Sequence, residues 1–195
     1  MALHLKPLHS NPDLIEDTIR LVKEAWPESL AERLRLLETS HCKGVPCSLA
    51  LAESREGVAE EVLGHVRIVR VSPESENRFY LEAVTIKKSR RKEGLGKKLH
   101  ELIADYAKKT FGARYIHVSV LTEDNERFYR RLNYNQYPVY APQIAPNVLR
   151  TYRYARWDGA IIPEEVKYLY EDGEYRKPDE PGIQSIRRFV KDLDS

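Results

Sequence analysis

Apolar residues recur at two different periods along this chain, and each period predicts one type of secondary structure. Short runs rich in β-branched and aromatic residues are typical of strands. These runs occupy residues 47–52, 62–71, 78–86, 115–121, 134–140 and 150–157. A charged loop separates the first two runs, which predicts a β-hairpin.

Apolar residues at helical spacing predict the helices between these strands. The longest helix begins near Leu95 and ends at Gly112, because glycine is typical of helix C-termini. Asn11-Pro12-Asp13 predicts the start of a first helix, since Asn caps, Pro suits the first position and Asp complements the dipole. Shorter helices are predicted after Ser29 and over residues 126–132.

The regular pattern of strands and helices weakens beyond residue 157. We therefore expect one mixed α/β domain over residues 1–157. Asp, Glu, Pro and Gly cluster after Asp158, with one late amphipathic stretch around Phe189. Residues 158–195 are interpreted as a C-terminal extension that either packs on the domain or is partly mobile.

The overall composition excludes several classes of protein. The 195 residues include 32 Lys and Arg against 30 Asp and Glu, a net charge of +2. This balance is typical of neither a uniformly basic nucleic-acid binder nor an acidic disordered chain. Cys42 and Cys47 lie in no metal-ligand pattern, so we expect reduced thiols and no metal site. Because no apolar run approaches the ~18 residues of a membrane span, we predict a cytoplasmic protein that does not bind a membrane. We also expect a monomer that binds no nucleic acid.

A glycine-containing segment before the longest helix is the strongest candidate for a binding site. Arg91-Lys92-Glu93-Gly94-Leu95-Gly96-Lys97 places small and basic residues where backbone N–H groups are unpaired. Basic residues dominate from Lys87 to Lys98, which favours an anion with several phosphate groups. The alternative is a glycine turn beside a solvated basic helix face. A Walker loop is excluded because no Gly-Lys-Ser/Thr follows, and the earlier hairpin disfavours a dinucleotide fold.

Two segments of the chain resemble the GNAT acetyltransferase superfamily. Arg91-x-x-Gly94-x-Gly96 is similar to its acetyl-CoA pyrophosphate loop, and residues 128–134 to its Phe-Tyr-x-x-x-Gly-Phe/Tyr signature. Asn133 stands in place of the glycine, and Asn is the next-best residue at positive φ. The resemblance spans about residues 1–157 and implies a mostly antiparallel mixed sheet with flanking helices, and acetyl-CoA as co-substrate. It also implies that the backbone of Val84, Thr85 and Ile86 holds the pantetheine and the acetyl carbonyl.

Acetyl transfer to an amine requires a base, an oxyanion site and an acid. His117 is the first candidate base, since similar amino-terminal acetyltransferases carry Glu or His at this place. An imidazole with a pKa of about 6.5 deprotonates an α-amine of pKa about 7.7–8.0 more easily than a lysine of about 10.4. Glu82 is the alternative base, alone or with His117, and Tyr129 is the expected acid. A strand histidine and a core tyrosine without catalytic roles are the other interpretations.

A narrower resemblance indicates a protein substrate. Residues 24–34, which include Trp26-Pro27, are similar to a helix–loop–helix of the actin N-terminal acetyltransferases, and Gly64-His65-Val66-Arg67-Ile68 to one of their strands. This implies that Trp26 and Arg33 line the peptide groove and that the partner is processed actin with its acidic N-terminus. Glu28 stands where that family has Arg. Another N-terminus or a small-molecule amine is the alternative substrate, and structural roles are the alternatives for both groove residues.

Overall fold

The computed structural model describes residues 2–27, 37, 40, 44–71, 76–120, 122–136 and 187–195, and a seven-stranded sheet forms its centre. The strands are β1 (Ala2–Pro7), β2 (Cys47–Arg55), β3 (Val58–Arg70), β4 (Arg78–Ile86), β5 (Tyr115–Val120), β6 (Asn135–Gln136) and β7 (Arg187–Asp192). They lie in the order β1-β2-β3-β4-β5-β7-β6, and only the β4–β5 pair is parallel among the described strands. The predicted mixed, mostly antiparallel sheet is confirmed.

The predicted strands agree with the structure where it describes them. The hairpin is confirmed, and both of its strands, β2 and β3, extend further toward the connecting turn than predicted. The bounds of β4 match the predicted 78–86. Of the strand predicted over 134–140, the described residues show only β6, and the strand predicted over 150–157 lies outside them.

The last described segment forms an inner strand of the sheet. β7 pairs with β5 along the full length of both strands, and β6 pairs with the other side of β7. Phe189 on β7 is completely buried. The domain boundary predicted at residue 157 falls on residues outside the described part of the chain.

Three α-helices with described side chains flank the sheet: α1 (Ile15–Ala25), α2 (Leu95–Phe111) and α3 (Glu123–Arg131). The predicted end of α2 is confirmed, because Gly112 has a φ of 66° and its N–H bonds back to the last turn. α3 begins before the predicted residue 126, since the Thr122 side chain caps it by accepting from the N–H of Asn125. The helix predicted after Ser29 lies mostly outside the described residues.

Asn11 precedes the first helical turn as predicted, but its side chain does not cap that turn. Its side-chain amide donates to the carbonyl of Pro7 at 2.8 Å, so it does not accept from the helix that follows. Pro12–Leu14 form a 3₁₀ turn, and α1 begins only at Ile15. An Asn side chain can bond forward or backward along the chain, and here the backward contact replaces the cap.

The helices cover opposite faces of the sheet. The larger apolar cluster combines α2 with strand residues such as Phe79 and Ile116, and the smaller one combines Leu21 of α1 with Ala50 and Ala52. Because successive strand residues point to opposite faces, the neighbours of Phe79 and Ile116 face the side that α1 covers. Of the candidate catalytic residues, Glu82 and His117 lie on that side, and Tyr129 belongs to the larger cluster on the other.

Candidate active site

The two central strands β4 and β5 separate at one end. Their pairing stops at Tyr80 and His117, although β4 continues to Ile86 and β5 to Val120. Residues 81–86 of β4 therefore pair with β3 on one side but have no β5 partner on the other, among the described strands. Backbone N–H and C=O groups on this edge can bind an extended ligand as an added strand would.

A β-bulge lies within this open stretch of β4. The register pairs His65 with Thr85 and Arg67 with Glu82, so two β4 residues, Ala83 and Val84, face one β3 residue. Ala83 has a φ of 47°. A non-glycine residue adopts this left-handed conformation at a cost of about 1–2 kcal/mol. Strict alternation of side chains along β4 therefore ends at the bulge.

Gly64 lets β3 approach the bulged part of β4. A Cβ atom at this position would lie 2.8 Å from Cδ1 of Ile86 and 3.0 Å from the carbonyl oxygen of Thr85. Both distances are shorter than ordinary van der Waals contact. The close approach of two backbones therefore requires glycine at position 64.

The predicted phosphate loop runs from the end of β4 into α2. Lys92 and Gly94 have φ values of 70° and 80°, and Gly94 is the N-cap residue of α2. Turns with left-handed residues next to a helix N-terminus direct several N–H groups into one concave site that favours anions. The Nε of Arg91 donates to the carbonyl of Ile86 at 3.2 Å, which ties this loop to β4.

The two glycines of the loop are required for different reasons. A Cβ atom on Gly94 would have nothing within 4 Å, so its positive φ is what requires glycine. A Cβ atom on Gly96 would lie 3.2 Å from Cζ of Phe128. Gly96 therefore allows the start of α2 to pack against α3, a role that sequence analysis missed.

Carboxylates neutralise part of the positive charge around the loop through ion pairs. Four basic side chains face carboxylates within the described residues: Lys87 faces Glu61, Arg90 faces Glu93, and Lys97 and Lys98 face Glu101. The hydrogen bonds with Glu93 raise the pKa of Arg90. Arg91 and Lys92 form no ion pair in the described part of the chain, which leaves their charge to an incoming anion.

A buried ion pair lies beside the open end of β4. Nη1 of Arg67 donates to Oε2 of Glu82 at 2.6 Å, and the two side chains are 1% and 3% exposed. Both residues are on the α1 side, and Ser48 of β2 lies opposite Arg67 in the register. The guanidinium therefore orients the carboxylate of the alternative base.

The first candidate base, His117, lies at the point where the strands separate. It is 1% exposed, and its partner in the register is Tyr80, whose hydroxyl donates to Oγ of Ser119 at 2.6 Å. Sequence analysis missed Tyr80, although its spacing of two from Glu82 places both on one face of a strand. The structure thus brings Tyr80, Glu82 and His117 to the same side of the sheet.

The environment of His117 changes its acid–base behaviour. Burial lowers its pKa to about 4, and the positive charge of Arg78 contributes in the same direction. The ring is therefore neutral at physiological pH and a much weaker base than an exposed histidine. It can accept a hydrogen bond, or a proton through water. Protonating it costs more free energy than protonating a histidine with the ordinary pKa.

Tyr129, the candidate acid, lies on α3 and is buried. Burial raises its pKa above the ordinary value, and Tyr80 adds to this effect. Its hydroxyl therefore stays protonated and can only act as a donor of protons at neutral pH. Edge-on contacts with the rings of His100, Phe128 and Tyr134, at centroid distances of 5.2–5.3 Å, hold the side chain.

His100 on α2 belongs to this aromatic cluster and was not predicted. It is 4% exposed, and its Nδ1 lies 3.2 Å from the hydroxyl of Tyr134. Burial lowers its pKa to about 4, with a further contribution from the charge of Lys191. The available signal was a histidine close to the apolar stripe of the longest helix, and its contact with Tyr134 depends on folding.

Two of the three buried histidines among the described residues, His100 and His117, predict a fold that loses stability in acid. Their folded pKa values of about 4 lie below the ordinary 6.5, so the unfolded chain binds more protons between these values. Stability is therefore complete above pH 6.5 and is lost as the pH falls toward 4. Between pH 7 and 5 we expect a loss of about 2 kcal/mol per histidine, measured as the free energy of unfolding in urea.

The variant His100→Gln provides the control for this acid sensitivity. It removes one titrating group and should reduce the loss of unfolding free energy between pH 7 and 5 by about 2 kcal/mol. Equal unfolding free energies of the unchanged protein at both pH values would contradict the assignment of neutral buried histidines.

The candidate groove residues are only partly described. Trp26 is half-buried directly after α1, and its backbone N–H donates to the carbonyl of Val22. A carboxylate oxygen of Glu24 lies 3.5 Å from the N–H of Lys88, so this end of α1 lies beside the loop that follows β4. Arg33 and Glu28 lie outside the described residues.

The described residues contain neither a metal-ligand cluster nor a membrane-spanning helix. No group of three or more His, Cys, Asp or Glu side chains in them is arranged to hold a metal ion. None of the helices within the same residues is long and apolar enough to cross a membrane.

Comparison with known proteins identifies similar sequences and folds. N-alpha-acetyltransferase 80 of Mus musculus is 32% identical over 124 residues, which are 63% of this chain and 38% of that protein. An acetyltransferase of Streptococcus agalactiae has a similar fold, with a TM-score of 0.60 and 14% identity over 97% of this chain and 98% of that one. NAA60 of Arabidopsis thaliana in complex with acetyl-CoA gives a TM-score of 0.54 and 19% identity, over 70% and 88% of the two chains.

The structural neighbours support the fold alone, since their identities are low. The family match is more extensive: residues 12–134 match the acetyltransferase (GNAT) family. This range contains α1, the bulged strand β4, the loop before α2, and α3 with Tyr129. The chain belongs to the acetyltransferase (GNAT) family.

Proposed function

We propose that this chain transfers the acetyl group of acetyl-CoA to the α-amine of protein N-termini, with acidic termini such as processed actin as its substrates. The observation that carries the proposal is the open, bulged edge of β4, which leads directly into the anion-binding turn at the start of α2. The edge suits an extended arm with amide groups, and the turn suits a pyrophosphate. CoA joins these two parts in one molecule.

The proposed cofactor contacts follow from this arrangement. Backbone groups of Val84, Thr85 and Ile86 would bind the pantetheine arm, and the N–H groups of Val84 and Ile86 would stabilise charge on the carbonyl oxygen. The loop from Arg91 to Lys97, including Glu93 and Leu95, would hold the pyrophosphate with backbone N–H groups and the charge of Arg91 and Lys92. The absence of a β5 partner along 81–86, among the described strands, supports the first part, and the φ of Gly94 supports the second.

Acetyl-CoA supplies an acetyl thioester. Residues from both faces of the sheet, near the separation of β4 and β5, would accept and donate the protons of the transfer. His117 or Glu82, from the α1 side, would accept the proton of the attacking amine directly or through water. Tyr129 would supply a proton to the departing sulfur. As the C–N bond forms and the C–S bond breaks, one proton leaves the amine and one reaches the thiolate. Tyr129 is buried on α3, and Tyr80 contributes to its raised pKa, which supports a position of the Tyr129 hydroxyl near β4.

The proposed substrate class rests on the sequence and on one relative. Trp26 and Arg33 match groove residues of the actin N-terminal acetyltransferases, and the mouse relative is named an N-alpha-acetyltransferase. The match covers only 38% of that protein, so its activity as a whole is extended to this chain as a proposal. The contact between Glu24, two residues before Trp26, and Lys88 at the start of the loop supports a peptide groove next to the acetyl group.

The variant Arg33→Glu tests the preference for acidic termini. A charge-assisted hydrogen bond is worth about 1.5–3 kcal/mol, so the KM for a peptide beginning Asp-Asp-Asp should rise at least about tenfold. A neutral peptide should be affected much less. The matched control is Arg20→Glu, the same charge reversal on an exposed residue of α1, which should change neither KM. Equal losses for both peptides would mean that Arg33 is structural.

The alternative substrate is a broader range of protein N-termini. Glu28 favours it, since a negative side chain replaces an Arg that would attract acidic peptides. Turnover against peptides that differ in their first three residues distinguishes the two, and Glu28→Arg should strengthen binding of the acidic peptide. A small-molecule amine would become the better assignment if no peptide were acetylated.

A further inference from the structure

A histidine on β3 makes a contact that the proposed mechanism does not use. Nδ1 of His65 lies 3.0 Å from the carbonyl oxygen of Ala83, and the ring is 1% exposed. A carbonyl oxygen can only accept a hydrogen bond. Nδ1 of His65 therefore carries the hydrogen and donates it.

The accepting carbonyl belongs to the bulge residue of β4. Ala83 is in the stretch where two β4 residues face one β3 residue, and its φ of 47° is unfavourable for alanine. At a bulge the regular ladder is interrupted, and the extra residue needs another partner for its backbone groups. His65 supplies a donor at this point, which offsets part of the cost of the strained backbone.

The direction of the Ala83 carbonyl also determines the direction of the next N–H group. The peptide unit between Ala83 and Val84 is planar, and in a trans peptide the C=O and N–H bonds point in opposite directions. Since the carbonyl points toward the His65 ring, the N–H of Val84 points away from that ring. The other neighbour of β4 is β5, and the two strands are separated there.

The flanking residues make this arrangement specific to the segment Gly64-His65-Val66-Arg67. Gly64 allows the close approach of β3 to Thr85 and Ile86 after the bulge. Arg67 pairs with Glu82 immediately before it. The bulge is thus supported on both sides, and the His65 contact is the one that acts on the peptide unit itself.

We infer that His65 is a positioning residue: its Nδ1–H holds the Ala83 carbonyl and thereby directs the Val84 N–H at the acetyl carbonyl of bound acetyl-CoA. The inference deepens the proposed function and rests on it for the identity of the ligand. It assigns no proton transfer to His65. The residue acts only through the backbone of the bulge.

Calorimetric binding of acetyl-CoA and of CoA to His65→Leu tests the inference. The two ligands differ by the acetyl group, so only acetyl-CoA presents a thioester carbonyl to the N–H of Val84. Leucine has a similar side-chain volume but cannot donate a hydrogen bond. We expect the affinity of the variant for acetyl-CoA to fall about five- to tenfold. Affinity for CoA should stay within about twofold. Equal losses for both ligands, or no loss for either, would overturn the assignment.

Two amide variants separate the hydrogen bond from the general structure of the strand. In His65→Asn the side-chain amide lies where Nδ1 lies, so it should restore the affinity for acetyl-CoA. His65→Gln places its amide nearer the position of Nε2 and should not. A five- to tenfold loss of affinity for acetyl-CoA in His65→Asn would contradict the role of the Nδ1 donor. This outcome does not depend on the stability of the Leu variant.

The proton itself can be observed in the unchanged protein without any ligand. Nitrogen-15 NMR of the imidazole should show a proton on Nδ1 of His65, and a ring protonated only on Nε2 would overturn the contact. If the Nδ1 proton were present but the protein bound neither acetyl-CoA nor CoA, the hydrogen bond to Ala83 would stand. The proposed function, and with it the role of the Val84 N–H toward an acetyl carbonyl, would be overturned.

Discussion

Replacing His117 by alanine should lower kcat by about 10²–10⁴-fold, the usual contribution of a general base. His117 lies at the point where β4 and β5 separate, on the same face as Glu82. The measurement is steady-state turnover of an acidic peptide at saturating acetyl-CoA. Raising the pH should partly restore the rate, because an α-amine above its pKa of about 7.7–8.0 no longer needs a base.

The comparison variant is Glu82→Gln, measured alongside for both turnover and stability. Removing one partner of a buried ion pair costs about 3–5 kcal/mol, and Glu82 is paired with Arg67 at 2.6 Å. Its loss of turnover therefore counts only in protein shown to be folded. If folded Glu82→Gln is severely impaired and His117→Ala only mildly, Glu82 is the base and His117 has a structural role.

The pH profile of the unchanged enzyme adds an independent check on this assignment. A His117 with a pKa of about 4 is already deprotonated at pH 6. The rise in kcat/KM between pH 6 and 9 should therefore follow the substrate amine rather than an imidazole. A profile whose only rise is centred near pH 6.5, and which disappears in His117→Ala, would contradict the low pKa of this residue.

Replacing Gly94 by valine should weaken the binding of acetyl-CoA about a hundredfold. Gly94 has a φ of 80° at the start of α2, which a β-branched residue cannot adopt without strain. Rearrangement of the turn would redirect the N–H groups that face the pyrophosphate. Loss of two charge-assisted hydrogen bonds of about 1.5 kcal/mol each corresponds to roughly this factor. Calorimetry on folded protein gives the measurement.

Gly57→Val is the matched control for strain without a ligand. Gly57 lies in the turn between β2 and β3, with a φ of 72°, and a Cβ atom added there would have nothing within 4 Å. The same substitution should lower stability to a similar extent and leave the affinity for acetyl-CoA unchanged. Equal loss of affinity in both variants, or none in Gly94→Val, would count against the loop assignment.

Local signals in the sequence were sufficient for most of the described elements. The apolar periods predicted β4, the hairpin and the long helix, since an element with one buried face needs that pattern. Single residues also carried conformational information. The glycine-like position of Asn133 is confirmed by its φ of 63°, and the helix end at Gly112 by its φ of 66°. These are short-range properties, because few neighbours decide them.

Contacts between distant segments were not predictable in the same way. Nothing in the apolar stretch around Phe189 indicated that β7 would lie between β5 and β6, since strand pairing depends on the whole sheet. The side chain of Asn11 could bond to either neighbouring segment, and the position of Pro7 decided the outcome. The groove residue Arg33 and the boundary at 157 lie outside the described residues and stay predictions.

The sequence by itself determined the family resemblance, the glycine loop, and the residue types that acetyl transfer needs, because these are written in short motifs. Only the tertiary structure decided how they act. The bulge at Ala83 and the separation of β4 from β5 arise from pairing across strands, which no single segment encodes. The low pKa of His117 arises from burial beneath other elements, and desolvation of a side chain depends on everything packed around it.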